Sequence, residues 1–135
     1  MTAVRRTVRH VDVTAPVTAL VAAGALSRVA LRAAAHAAGL VVVGECASAA
    51  EAIELASREL PDVCVLERNL PGGALAAAAA IVAPRRPPAV LLVGGSDSPA
   101  ERRAALLAGA SGYVPGEPDA VRLAEALATT RGRIA

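Results

Sequence analysis

Short runs of apolar residues, each followed by a stretch in which apolar positions recur at helical spacing, confine this chain to one class of fold. The runs are Val17 to Val21, Leu40 to Gly44, Asp62 to Leu66, Ala89 to Val93 and Gly112 to Val114. They are close to continuous rather than alternating, so strands built from them bury both faces, as in a parallel sheet covered by helices on each side. Strand and helix in strict succession give a doubly wound α/β architecture. The expected order is 2-1-3-4-5, with the functional crevice outside the carboxyl ends of the strands.

Local punctuation supports the helices. Leu26, Ala30, Ala33, Ala34 and Ala37 recur at helical spacing until Gly39 and form the expected inner face of the first. Ser48 and Glu51 make a capping-box pair that opens the second, which should bury Ala49, Ala52, Ile53 and Ala56 and end near Leu60. The turn Asn69-Leu70-Pro71-Gly72-Gly73 precedes an alanine-rich helix from about Ala74 to Val82, which Arg85-Arg86-Pro87-Pro88 then breaks. Ser98, Pro99 and Glu101 supply cap, first-turn proline and capping-box partner for the fourth, closed by Gly109. A last helix is expected from about Pro118 to Arg131, with Val121, Ala124, Leu127 and Ala128 inward. Pro115 directly after the short fifth run suits a sheet edge, where a missing donor costs little.

Composition sets the scale. At 135 residues the chain accommodates one domain, expected over residues 17–135 behind a basic, solvated and mobile leader at 1–16. Hydrophobic residues make up 55% but aromatics only 1%, so the core must be thin and packed through alanine and branched aliphatics. All 14 basic side chains are arginine, and the net charge of +2 argues little for direct nucleic-acid contact. Arg5, Arg6, Arg9 and His10 read as part of the solvated arm. The two cysteines, Cys46 and Cys64, cannot build a four-ligand zinc site. They fall on the second and third strands, which are not neighbours in the expected order, so no disulfide is expected. No apolar run reaches the roughly 18 residues of a membrane span, and a cytoplasmic location is the default expectation.

The crevice residues are Ala22 and Ala23 after the first strand, Glu67 after the third, Gly94 and Gly95 after the fourth, and Gly116 after the fifth. Of these only Glu67 carries a functional group. The stretches Val43-Gly44-Glu45, Pro61 to Gly73, and Ala108-Gly109-Ala110-Ser111-Gly112-Tyr113, with the element spacing, resemble receiver domains of two-component response regulators over about residues 17–132. Their style is similar to the subfamily whose receivers precede a helix-turn-helix DNA-binding domain. The resemblance implies a flavodoxin-like receiver fold.

It also implies where phosphorylation chemistry would sit. The family's paired metal-binding acids correspond to Ala22 and Ala23, its phospho-acceptor aspartate to Glu67, its hydroxyl residue to Gly94 and its lysine to Gly116. Magnesium needs hard oxygen ligands in near-octahedral geometry, which methyl groups cannot offer. The extra methylene of glutamate moves the carboxylate by about 1.5 Å, beyond the ~1 Å misplacement that already costs about 10²-fold in rate. Phosphoryl transfer rests on positioning and charge neutralisation, so a degenerate, phosphorylation-independent receiver without metal or cofactor is expected.

Glu67 has two readings: a built-in mimic of the phosphorylated acceptor, or a solvated turn glutamate at a dead site. One negative charge falls short of the roughly −1.5 to −2 of a phosphoryl group. Tyr113 matches the family's switch residue, with Gly94 leaving room for an inward ring, or else is an edge-strand tyrosine with a wet hydroxyl. Arg28, Arg32 and His36 form a basic stripe expected on the outer face of the first helix. Arg102, Arg103, Arg122 and Glu125 lie where the family's receivers dimerise, through helix 4, strand 5 and helix 5. Asp12 precedes the first strand, Asp62 opens its strand at the wrong edge for the crevice, and Asp97 serves the turn before helix 4.

The leading expectation is a pseudo-receiver acting through protein contacts and homodimerisation, alone or joined to a DNA-binding output domain beyond Arg131-Gly132-Arg133. The alternative is a ligand-sensing receiver, in which Ala22, Ala23, Gly94, Gly95 and Gly116 leave a shallow cavity for a small metabolite. Catalysis fares worst: no nucleophile with a positioned base, metal cluster or phosphate-binding glycine loop is evident.

Overall fold

The computed structural model describes residues 16–117 and 119–134. The leader residues Arg5, Arg6, Arg9, His10 and Asp12 lie outside the described residues, as does Pro118, the expected start of the last helix. In chain order the elements are β1 (Val17–Ala22), α1 (Ala25–Ala37), β2 (Leu40–Cys46), α2 (Ala49–Glu59), β3 (Val63–Glu67), α3 (Ala74–Ile81), β4 (Ala89–Val93), α4 (Pro99–Leu107), β5 (Gly112–Val114) and α5 (Ala120–Ile134).

The 5 strands form one sheet in the order β2-β1-β3-β4-β5, and the paired strands run parallel. The order follows the expectation because strand and helix alternate without interruption. One irregularity breaks the β1–β2 ladder: Ala19 pairs with Val42 but Leu20 with Gly44, so Val43 bulges out of register.

Side-chain alternation along each strand feeds a separate core on each face of the sheet. On one face Leu20, Ala22, Cys64, Leu66, Val90 and Leu92 pack beneath α2, α3 and α4, almost wholly against alanine. On the other, Val21, Val63, Val65, Leu91 and Val93 meet Leu31, Ala34 and Ala35 of α1 and Leu123 and Leu127 of α5. Alanine lets the helices approach closely, which is how a chain without Phe or Trp fills its interior.

Three helix faces differ from their sequence reading. On α1 the buried residues are Leu31, Ala34 and Ala35, while Leu26 is 90% exposed and Ala30, Ala33 and Ala37 face outward. Alanine carries no phase information, and the single large buried side chain, Leu31, decides the rotation. On α2 Ala49, Ala52 and Ala56 are buried as expected, but Ile53 is exposed. On α5 Leu123, Leu127 and Thr130 turn inward, and Val121 stays 68% exposed. Ala128 is likewise exposed. The two leucines bury more apolar area than Val121 and Ala128 would.

Candidate functional site

The crevice at the carboxyl ends of the strands is built around Glu67. Alternation along β3 sends its side chain to the α1 side, in line with Val63 and Val65. There Oε1 accepts a 3.0 Å hydrogen bond from the backbone N–H of Gly24. Gly24 is the N-cap of α1, a helix with neither a side-chain cap nor an acidic residue in its first turn. The carboxylate therefore supplies, from a different element, the negative charge that a helix N-terminus favours. Nothing in the sequence around α1 signals this partner, because the two residues are 43 positions apart.

The same loop is held from outside by Arg28, whose Nη1 donates to the Ala23 carbonyl at 3.1 Å. Arg28 and Arg32 both pair with Glu45 on β2, at 3.6 and 3.2 Å. The expected basic stripe is thus largely spent on an internal brace, and of the three only the exposed His36 has no such partner among the described residues.

Ala22 and Ala23 do not line the crevice. Both are 0% exposed, Ala22 packed in one core and Ala23 in the other. The expected shallow cavity therefore lacks these two alanines and takes α1 residues in their place. A cleft of about 620 Å³ does open there, lined by Leu26, Ser27, Ala30, Leu31, Glu67, Asn69, Val93, Gly94, Gly95, Gly116 and Glu117. Among the described residues no group of 3 or more His, Cys, Asp or Glu side chains is placed to hold a metal ion.

Beside this cleft lies a polar clasp that the sequence did not reveal. Arg68 Nε donates to Glu101 Oε1 at 3.1 Å, and the single Tyr113 hydroxyl proton is shared between the Ser96 carbonyl at 2.8 Å and the same Glu101 oxygen at 3.2 Å. The guanidinium of Arg102 sits over the Tyr113 ring, 5.7 Å from its centre, and pairs with Asp97 at 2.6 Å. Glu101 was readable only as a capping residue. Its N–H does donate to the capping Ser98 Oγ at 3.1 Å, but its carboxylate reaches the clasp instead of folding back. Glu51 by contrast closes its box, accepting from Ser48 Oγ and from the Ala47 N–H.

The ring of Tyr113 is half-buried against the core, and Gly95 rather than Gly94 makes room for its hydroxyl. A methyl group added at Gly95 would stand 2.5 Å from the Tyr113 hydroxyl, whereas at Gly94 it would meet only Arg68 at 3.9 Å. Burial first, then the bond to Glu101, pushes the Tyr113 phenol above its ordinary value.

Of the interface candidates, Arg103 and Glu125 are exposed, Arg102 is engaged as described, and Arg122 lies half-buried beside Gly116. Leu106 and Leu107 of α4 are 64% and 79% exposed. Asp62 lies just before β3, at the amino ends of the strands and away from the crevice, where it accepts from Thr18 N–H at 2.9 Å. Cys46 and Cys64 are buried free thiols on strands separated by β1. Burial pushes the Cys64 thiol up to about 12.

Comparison with known proteins gives a consistent answer on structure. No protein-family model matches the chain, and neither does any curated protein. Among solved structures, the signal receiver domain of a response regulator designated NarL from Mycobacterium tuberculosis is 33% identical, with 87% of this chain and 98% of that one covered and a TM-score of 0.78. A two-component response regulator of the LuxR family from Aurantimonas sp. SI85-9A1 is 29% identical over 87% of each chain, also at 0.78. A DNA-binding response regulator of the LuxR family from Staphylococcus aureus, 18% identical over 84% of this chain and 98% of that one, shares the fold at 0.74.

Proposed function

The chain belongs to the receiver-domain family of two-component response regulators, and we propose that it serves signal transduction without that family's phosphorylation chemistry, through protein contacts made by residues 17–135 as one unit. The observation that carries this reading is the state of Glu67. The one carboxylate at the end of β3 is committed to the Gly24 N–H at 3.0 Å, and the positions corresponding to the family's metal-binding acids, Ala22 and Ala23, are fully buried methyl groups. This donor set does not fit magnesium, which requires several hard oxygens in octahedral array. At the corresponding hydroxyl and lysine positions stand Gly94 and Gly116, and the chain contains no lysine. With ligands, cation and hydroxyl all missing, little is left to stabilise a phosphoryl-transfer transition state.

On this reading the output surface is α4, β5 and α5. Arg102, Arg103, Arg122 and Glu125 share helices α4 and α5 with the exposed Leu106, Leu107 and Val121, a mixture of apolar and charged side chains suited to a homodimer contact. One structural neighbour is a DNA-binding response regulator, and regulation of transcription through a DNA-binding output domain forms part of the proposal. The test is sedimentation velocity of the protein with and without magnesium and acetyl phosphate, alongside Glu67→Ala, Tyr113→Ala and Leu106→Glu. The association state should ignore the phosphodonor and fall with Leu106→Glu. A donor-dependent change that vanishes in Glu67→Ala would sink the proposal.

A second reading, sensing of a small molecule, is favoured by the cleft of about 620 Å³ beside Glu67. Its volume lies within the range of small-ligand sites.

A further inference from the structure

The cleft beside Glu67 has a charge and a shape that select among ligands. Its walls are apolar on the α1 side, with Leu26, Ala30 and Leu31, and at the end of β4, with Val93. Leu26 at its mouth is 90% exposed, an apolar side chain standing over an open space. Gly94, Gly95 and Gly116 bring bare backbone to the opposite side, each at positive φ. The charged side chains that line it are Glu67 and Glu117, with no arginine or histidine among the lining residues.

Of the polar side chains there, Glu67 gives one oxygen to Gly24, which leaves the other for the cleft. Ser27, Asn69 and Glu117 make no side-chain hydrogen bond or ion pair within the described residues. The positive end of α1 therefore already has its anion in Glu67, and an entering anion would meet two carboxylates. Arg122 stands beside Gly116, its Nη1 3.6 Å from where a methyl group would lie, at the rim rather than in the lining.

We propose that this cleft binds a small organic amine, its apolar body against Leu26, Ala30, Leu31 and Val93 and its protonated nitrogen towards Glu67 and Glu117. The assignment rests on the second reading above and specifies its ligand class. An ammonium group offers donors only, which suits carboxylate oxygens and the Asn69 and Ser27 acceptors. A ligand without an apolar part would leave Leu26 and Ala30 exposed and gain little from the pocket.

Backbone amide NMR of the protein, titrated to millimolar concentrations with phenethylamine and cyclohexylmethylamine, tests the proposal. The matched acids, 3-phenylpropionate and cyclohexylacetate, and the neutral 3-phenylpropan-1-ol serve as comparisons. The amines should shift the Gly94, Gly95 and Gly116 signals saturably and the acids should not. Glu67→Gln combined with Glu117→Gln should weaken amine binding by about tenfold or more, the scale of a lost charge-assisted contact. Ala30→Leu, an exposed helix position where leucine is well tolerated, should block the cleft while preserving the spectrum elsewhere. Equal or tighter binding of the acids or the alcohol would overturn the amine assignment and leave the ligand-sensing reading standing. Silence from every probe would remove both.

Discussion

Replacing Gly95 with alanine strikes the clasp at its tightest point. Gly95 holds φ +78°, a left-handed conformation that costs an L-residue about 1–2 kcal/mol. The added methyl group would also stand 2.5 Å from the Tyr113 hydroxyl, 3.0 Å from Arg68 Cγ and 3.2 Å from Glu101 Oε1. The ring must swing out, abandoning the one hydroxyl proton's shared bond to Ser96 and Glu101, which contributes a net ~0.5–1.5 kcal/mol. The Arg68 to Glu101 pair is about 30% exposed on each side, so its loss adds at most about 1 kcal/mol. The total is about 1.5–4.5 kcal/mol. Gly94→Ala is the control: φ is +86° but the nearest neighbour is 3.9 Å away, so only the ~1–2 kcal/mol of backbone strain applies. Urea unfolding followed by far-UV circular dichroism reads both, provided the m-values match. Tyr113→Phe removes the hydroxyl that the methyl group meets, so in that background Gly95→Ala should fall towards the Gly94→Ala cost. Equal costs for the two glycines, or no coupling to Tyr113→Phe, would refute the clasp as a packed unit.

Tyr113 is the only aromatic residue, so its ionisation can be followed by ultraviolet absorbance without interference. Burial and the Glu101 bond favour the neutral phenol in the folded state, so its stabilisation is intact below the ordinary value of about 10 and is lost as pH rises through the folded pKa. Glu101→Gln should lower the midpoint, and an unchanged midpoint would contradict the bond. Cys64, pushed up to about 12 by burial, and the buried Cys46 should resist a thiol reagent at mildly alkaline pH in the native protein and react on denaturation; stoichiometric native labelling would contradict the core. The stabilisation from Cys64 is lost as pH rises from about 9 through its folded value of about 12. Glu67→Ala should cost about 1–2 kcal/mol through its lost bond to the α1 N-terminus, with Glu67→Gln milder. A change under ~0.5 kcal/mol, typical of solvated surface positions, would mark Glu67 as a solvated glutamate.

The sheet was legible because its strands are buried on both faces and leave an unbroken apolar trace, and the punctuation at Ser48, Ser98 and Gly109 bounded helices correctly to within a residue or two. Helix rotation was less legible. On α1 alanine occupies both the buried face and the exposed one, and the phase is set by Leu31 and by the reach of Arg28 and Arg32 to Glu45, a contact across the fold that no periodicity contains. At the site, the position of Glu67 at the end of β3 could be read directly. Its partner Gly24 could not, since a backbone N–H has no sequence signature. Tyr113 stood out as the lone aromatic, but the room for its ring comes from Gly95, because the chain turns sharply after β4 and brings the second glycine, not the first, under the hydroxyl. Arg68 and Glu101 meet only in the folded chain, 33 positions apart.

The most direct measurement is a titration of the protein with beryllofluoride, a phosphate analogue, in millimolar magnesium, followed by backbone amide NMR. If Glu67 is committed to Gly24 and the positions around it lack ligands, cation and hydroxyl, the amides of Ala23, Gly24, Arg68 and Gly94 should not move. Saturable, magnesium-dependent shifts at these amides, abolished by Glu67→Ala, would contradict the account.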